Sequence, residues 1–375
     1  MTSFIPVNTP VIGSREKELV MECLSSGWIS CEGPFVAKFE EEFSKRVGRK
    51  YGISCSNGTA ALDIAVSALR IGPGDEVILP SFTIISCAAA IFRAGATPVV
   101  VDSDPITWNM DVSAIEASIT PRTVAIMAVH IYGLPVDMQP LLAISKKYNL
   151  ALIEDAAELI GGEYKGHPCG SFGDISTFSF YPNKHITTGE GGMVVTNDQD
   201  LAERCKSLRN LCFQPNQRFV HEELGWNYRI TNLQAALGLG QLESLDKFLD
   251  QKRKMGATYN EAFKDIPDLQ LPIPTTSYAS NLYWVYGLVV GESHKNASFY
   301  RETLAKAGIG TRPFFYPIHQ QPVFRKMGYF LEEHKPVAEK LYDKGFYIPS
   351  GLGLSHTQQL EVIEACKNAL SIYKD

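Results

Sequence analysis

Apolar side chains recur along this chain with two periods, one helical and one strand-like. Phe35, Phe39 and Phe43 stand four apart behind Gly33-Pro34, which predicts an apolar stripe on a helix opened by proline. A helix over 14–24 is expected before it. Residues 51–55 form a short apolar run and 60–69 a helical one. Strand-like and helical runs then take turns. Strands are expected over 76–79, 98–101, 124–129 and 150–153, and helices over 86–92, 112–118 and 139–148. Strands this uniformly apolar are buried on both faces. The alternation therefore predicts an α/β fold with a mainly parallel sheet covered by helices on both sides. Two more strand-like runs, 175–181 and 193–196, flank a loop. Helices over 201–211 and 233–259 follow. A strand over 282–290 and helices over 298–307 and 360–370 read as a smaller α+β unit. The expected division is a large domain, 1–245, and a small C-terminal domain, 246–375. The Pro-rich stretch 272–277 is linker-like.

Length and charge narrow the picture. A chain of 375 residues can build two domains and a large core. Charged residues make up 20% and the net charge is −6, with no basic cluster, which argues against a nucleic-acid partner. No apolar run is long enough to span a membrane. The start, Met1-Thr2-Ser3-Phe4-Ile5-Pro6, does not read as a signal peptide, so a cytoplasmic protein is expected. The eight cysteines contain no Cys-x-x-Cys pair and no accompanying histidine cluster. Neither a metal site nor a disulfide framework is expected, and most of them should be buried.

Candidate chemistry sits in three places. Between the runs 175–181 and 193–196, Pro182-Asn183-Lys184 leads to Gly189-Glu190-Gly191-Gly192. Lys184 is either an ordinary loop lysine or one whose amine condenses with the aldehyde of pyridoxal phosphate. Earlier, Ser56-Asn57-Gly58-Thr59 links a strand to a helix. This is either a plain N-cap or an anion cradle of free N–H groups suited to phosphate. Asp155 closes a buried strand before Ala156-Ala157. It is either a structural carboxylate or the partner of a protonated pyridine nitrogen. Glu158 follows three residues on. Trp28 suits either the core or the wall of a site.

The order cradle, carboxylate, lysine matches fold-type I pyridoxal-phosphate enzymes. Glu154-Asp155-Ala156-Ala157-Glu158, Ser171-Phe172-Gly173-Asp174, Ser179-Phe180-Tyr181-Pro182-Asn183-Lys184 and Gly189-Glu190-Gly191-Gly192 resemble the DegT/DnrJ/EryC1/StrS sugar aminotransferases over nearly the whole chain. The resemblance implies an aspartate aminotransferase-like fold with a seven-stranded sheet. It implies pyridoxal 5′-phosphate as cofactor, with pyridoxamine 5′-phosphate formed in turnover. The reaction would move the amino group of glutamate onto C4 of a nucleotide-linked 4-keto-6-deoxy sugar. Lys184 would bond the cofactor and shuttle the proton, and Asp155 would meet the pyridine nitrogen. Gly58 and Thr59 N–H groups, with Ser179, would hold phosphate, and Glu158 would lie near the phenolic oxygen. Where family members often stack Trp or Tyr on the ring this chain has Ile84, with Phe82 as a substitute. Asn227 and Arg229 would reach the cofactor phosphate of a neighbouring subunit, implying a homodimer with shared sites. The loop carrying Arg312, Tyr316 and His319 would cover the nucleotide-sugar side, with Arg312 meeting diphosphate. Related sugar 3-dehydratases have histidine in place of Lys184, so the lysine favours amino transfer. A regulator that keeps the fold without the chemistry is the other alternative.

Overall fold

The computed structural model describes residues 4–214 and 216–371. Seven strands form the main sheet: β1 (Tyr51–Cys55), β2 (Glu76–Pro80), β3 (Thr97–Val101), β4 (Thr123–Val129), β5 (Ala151–Asp155), β6 (Ile175–Ser179) and β7 (Gly192–Thr196). Their order is β1-β7-β6-β5-β4-β2-β3. Six strands run in one direction and β7 runs opposite to them, antiparallel to both β1 and β6. Residues of β2, β4 and β5 are almost wholly buried, as strands covered on both faces must be. One face packs on α3 (Gly58–Ala68), α4 (Ile85–Arg93) and α6 (Gln199–Arg209). The other packs on α2 (Pro34–Arg46), α5 (Met138–Tyr148) and α7 (Asn232–Glu243). The Phe39–Phe43 stripe of α2 meets Phe178 and Phe180 at ring separations of 4.9–5.1 Å. Of the eight cysteines, all but Cys31 are buried.

A second, antiparallel sheet orders Leu269–Gln270, Tyr286–Val290, Gly345–Ile348 and Arg312–Pro313. Its core includes Tyr259, Tyr286, Tyr300 and Ile5. Ile5 pairs with Ile309, so the chain's beginning is strapped onto this layer.

Three expected elements differ. The helix over 112–118 is two 3₁₀ turns, Val112–Ala114 and Glu116–Ser118. Seven residues carrying β-branched Val112 and Ile115 leave little to sustain an α-helix. The helix over 233–259 is two, α7 and α8 (Leu245–Phe263), broken at Ser244. α7 presents Ala235, Ala236 and Leu239 to the main-sheet core, whereas α8 carries Met255, Tyr259 and Phe263 to the second core. One straight rod cannot serve both directions. The strand over 282–290 starts only at Tyr286. The residues before it are spent bridging the layers: Leu282 N–H donates to Gly133 O at 2.9 Å, and Tyr283 turns at φ +52°.

Candidate active site

β1, β5 and β6 run parallel, and their carboxyl ends open on one cleft of about 620 Å³. That is where open α/β sheets bind ligands. The cleft brings together Asn57, Gly58, Thr59, Ile84, Asp155, Glu158, Ser179 and Lys184.

The cradle begins where β1 gives way to α3. Asn57 caps α3, its Oδ1 accepting the Ala60 N–H at 2.8 Å. The N–H groups of Gly58 and Thr59 lie in the first turn and have no intrahelical acceptor. A Cβ on Gly58 would stand 2.8 Å from Ser179 Cβ, so glycine here lets the helix start meet the end of β6. Thr59 Oγ1 shares a hydrogen bond with Ser86 Oγ at 2.9 Å.

Asp155 ends β5 and is buried. One oxygen accepts the Ala157 N–H at 3.0 Å and the other faces the Cys87 thiol at 3.3 Å. Burial raises its pKa, outweighing these two hydrogen bonds and the nearby Lys184, which lower it. Beside it, Glu158 accepts the Tyr132 N–H at 2.9 Å, and burial raises its pKa as well. Burial lowers the pKa of the Lys184 amine, with Glu158 and Asp155 opposing it. Both members of the Lys184–Glu158 pair are thereby pushed towards their neutral forms.

The lysine loop is pinned. Pro182 O accepts from Asn8 Nδ2 at 2.9 Å and Asn183 O from Trp284 Nε1 at 2.7 Å. Lys184 N–H closes a turn onto Tyr181 O at 2.9 Å. Its Nζ lies 3.6 Å from the centre of the Trp284 ring.

These donors fit pyridoxal phosphate. Free N–H groups at a helix start and a hydroxyl suit its phosphate, a buried carboxylate seeking a cation suits its pyridine nitrogen, and an amine suits its aldehyde. Thr177 Oγ1 and Asn183 Oδ1 also line the cleft, buried and without a partner among the described residues. A metal has a weaker case. His130, Glu154 and Cys169 lie close together, but Glu154 already accepts from His130, Phe172, Gly173 and Ser176.

Other sequence-predicted residues lie elsewhere. Ser56 sits beneath the cradle, its N–H bonded to Tyr228 O. Phe82 is fully buried among Tyr132, Phe314 and Phe315, so it does not cover the ring face, and Ile84 alone of the two lines the cleft. His319 is buried, its two ring nitrogens engaged with Ser81 Oγ at 2.7 Å and Glu339 Oε1 at 2.9 Å. In this chain it clamps its loop to the sheet and is not part of the cleft lining. Tyr316 packs edge-on against Tyr342 and Arg312 is exposed at the sheet margin. Trp28 is also exposed. Asn227 bridges to Asn210, and Arg229 donates to Asn210 Oδ1 at 2.6 Å. Arg229 opens on a separate cavity of about 280 Å³ with Arg209 and Arg218.

Sequence reasoning missed Thr177, Tyr347, Phe315 and Trp284, which line the cleft. Thr177 pairs with Asp155 across β5 and β6, a neighbour visible only once the strand order is known. Tyr228, between the expected Asn227 and Arg229, also lines the cleft, with its hydroxyl 3.3 Å from Asp63 Oδ2.

Comparison with known proteins agrees with this geometry. Residues 10–367 match the DegT/DnrJ/EryC1/StrS aminotransferase family. The chain is 43% identical to a GDP-perosamine synthase of Escherichia coli O157:H7, covering 99% of both chains. It is 41% identical to one of Caulobacter vibrioides, covering 98% of both. It superposes on the PLP-form of a putative sugar aminotransferase from Streptococcus pneumoniae with a TM-score of 0.92 at 25% identity, covering 99% of this chain and 100% of that one.

Proposed function

Because the chain belongs to the DegT/DnrJ/EryC1/StrS aminotransferase family, we propose that it moves the amino group of glutamate onto C4 of GDP-4-keto-6-deoxymannose, giving GDP-perosamine. The observation that carries the amino-transfer reading is Lys184, held by a pinned loop in one cleft with Asp155 and Glu158. The choice of sugar and base is supported by whole-length similarity to two GDP-perosamine synthases.

Pyridoxal phosphate supplies the electron sink that makes the substrate C–H bond acidic. The chain's residues do the rest. Gly58 and Thr59 N–H groups and the Ser179 hydroxyl would bind the phosphate. Asp155, raised by burial, would be stabilised as a carboxylate by a cationic ring nitrogen and would in turn favour that nitrogen's protonated form. Lys184 is the residue that would bond the cofactor's aldehyde. As a free amine it would take the proton from the donor carbon and return one to the acceptor carbon. Burial keeps that amine available as a base. Trp284, Phe315 and Tyr347 wall off water on the small-sheet side.

We also infer a cytoplasmic homodimer. Asn227 and Arg229 lie outside their own chain's cleft, which suits a role in a partner's site. Phe219 is 82% and Leu224 90% exposed, an apolar surface that a second copy would cover. No helix among the described residues is long and apolar enough to cross a membrane.

Spectroscopy tests the reading. The protein should turn yellow with pyridoxal phosphate, bleach on adding glutamate, and recover its colour on adding the keto sugar. Colour that glutamate leaves unchanged contradicts it.

A further inference from the structure

The amine of Lys184 sits 3.6 Å above the centre of the Trp284 ring. Trp284 is 5% exposed and is fixed from two directions. Its Nε1–H donates to Asn183 O at 2.7 Å, so the ring is tied to the residue before the lysine. Its carbonyl accepts from the buried Nζ of Lys252 at 2.8 Å. Its backbone presses on Gly133, where an added Cβ would come within 2.6 Å of the Trp284 nitrogen. The indole has little freedom to tilt, and its hydrogen bond sets the ring's place relative to the lysine's own backbone. An aromatic face attracts a cation electrostatically, more strongly where water is excluded.

We propose that Trp284 is a positioning residue whose ring face receives the amine of Lys184 whenever that amine is not bonded to cofactor. The proposal rests on Lys184 being the cofactor-bonding residue. In turnover the lysine must leave the cofactor, stay within reach, carry a proton and return. A rigid π face gives the protonated amine a fixed seat that offers no competing proton acceptor. The groups that set the charge of the amine are Asp155 at the end of β5, Glu158 three residues beyond it and Cys87 on α4, with buried His185 beside it in sequence. Glu158 and Asp155 favour the ammonium and burial opposes it, so the ring adds to the weaker side of that balance.

The test uses cofactor-free protein. Reductive methylation of Lys184 with formaldehyde and cyanoborohydride, followed by mass spectrometry across a pH series, reads the midpoint at which the amine becomes free. Trp284→Leu keeps the wall apolar and removes the π face; its midpoint should fall by about one pH unit. Trp284→Phe keeps a face without the Asn183 hydrogen bond and should recover part of the shift. An unchanged midpoint in Trp284→Leu, or equal shifts in both variants, would overturn the proposal. Indole fluorescence gives a second readout that does not depend on the Leu variant folding. The wild-type emission should change as the amine loses its proton, and Lys184→Ala should abolish that step. A step that persists in Lys184→Ala overturns the proposal as well. Failure of the underlying reading looks different: wild-type protein stays colourless with pyridoxal phosphate while the midpoint shift remains.

Discussion

At the scale of single residues, the site is a set of buried ionisable groups, Lys184, Asp155 and Glu158, none of them given an opposite charge at hydrogen-bonding distance among the described residues. Lys184, Asp155 and Glu158 are each pushed towards neutrality by burial, which is costly unless a ligand completes them. Lys184→Arg cannot bond an aldehyde and is a poor proton shuttle. Its turnover should fall by at least about a thousandfold, and the protein should stay colourless with cofactor. Asp155→Asn keeps the shape and loses the charge. It should lower kcat by roughly 10²–10³-fold and weaken cofactor binding, read by titrating colour against added cofactor. Asp155 was legible in the sequence because it closes a buried strand, and Lys184 because it stands on the short loop between two strands, so the chain's own pattern fixes which way the cleft lies. Phe82, His319 and Arg312 were not. Their residue types suit a site, but the direction of a loop side chain is set by packing partners far along the chain. For His319 those partners are Ser81 and Glu339.

At the scale of elements, the start of α3 does the most. It joins β1, the end of β6 and the start of β7 at one point. A Cβ on Gly192 would fall 2.4 Å from Asn57 O, so Gly192→Ala must displace the cap itself. It should cost about 1–3 kcal/mol, measured by urea unfolding, and weaken cofactor retention as well. Asn57→Ala loses only the side-chain cap and should cost about 1 kcal/mol. The alternation of strands and helices was readable because a fully buried strand and an amphipathic helix have distinct periods. The break at Ser244 was not, since both halves of the run keep a helical period and differ only in which core they face. The late start of the strand at Tyr286 was hidden for a similar reason. Leu282, Tyr283, Trp284 and Val285 are apolar, but they serve the contact between layers, and Trp284 serves the cleft.

At the scale of the whole molecule, the two sheets are coupled through Lys252 on α8, whose amine reaches Trp284 O and Ser350 O in the interior. Burial lowers its pKa to about 7. In the unfolded chain a lysine titrates near 10.4. Between those values the unfolded state binds a proton that the folded state does not. Stability should therefore rise with pH across that window, by at most roughly 1.4 kcal/mol per unit from this group. Lys252→Met should flatten the rise between pH 7 and 9, seen in urea midpoints. Assembly is tested by mixing. If active sites are shared, inactive Lys184→Ala and Arg229→Ala chains should regain part of the activity on subunit exchange, and independent sites should regain none. The frame was readable from the chain as a whole, but which residues a second copy completes is a property of the assembly, and one chain's pattern does not encode it locally.

The central claim is amino transfer to a GDP-linked 4-keto-6-deoxy sugar. Its most direct test supplies ¹⁵N-glutamate with GDP-, UDP- and dTDP-linked 4-keto-6-deoxy sugars and follows the products by mass spectrometry. The GDP sugar should gain one ¹⁵N amine at C4, and the Lys184→Ala protein should transfer none. Label on the UDP or dTDP sugar instead, loss of oxygen at C3 without label, or no labelled product would contradict it.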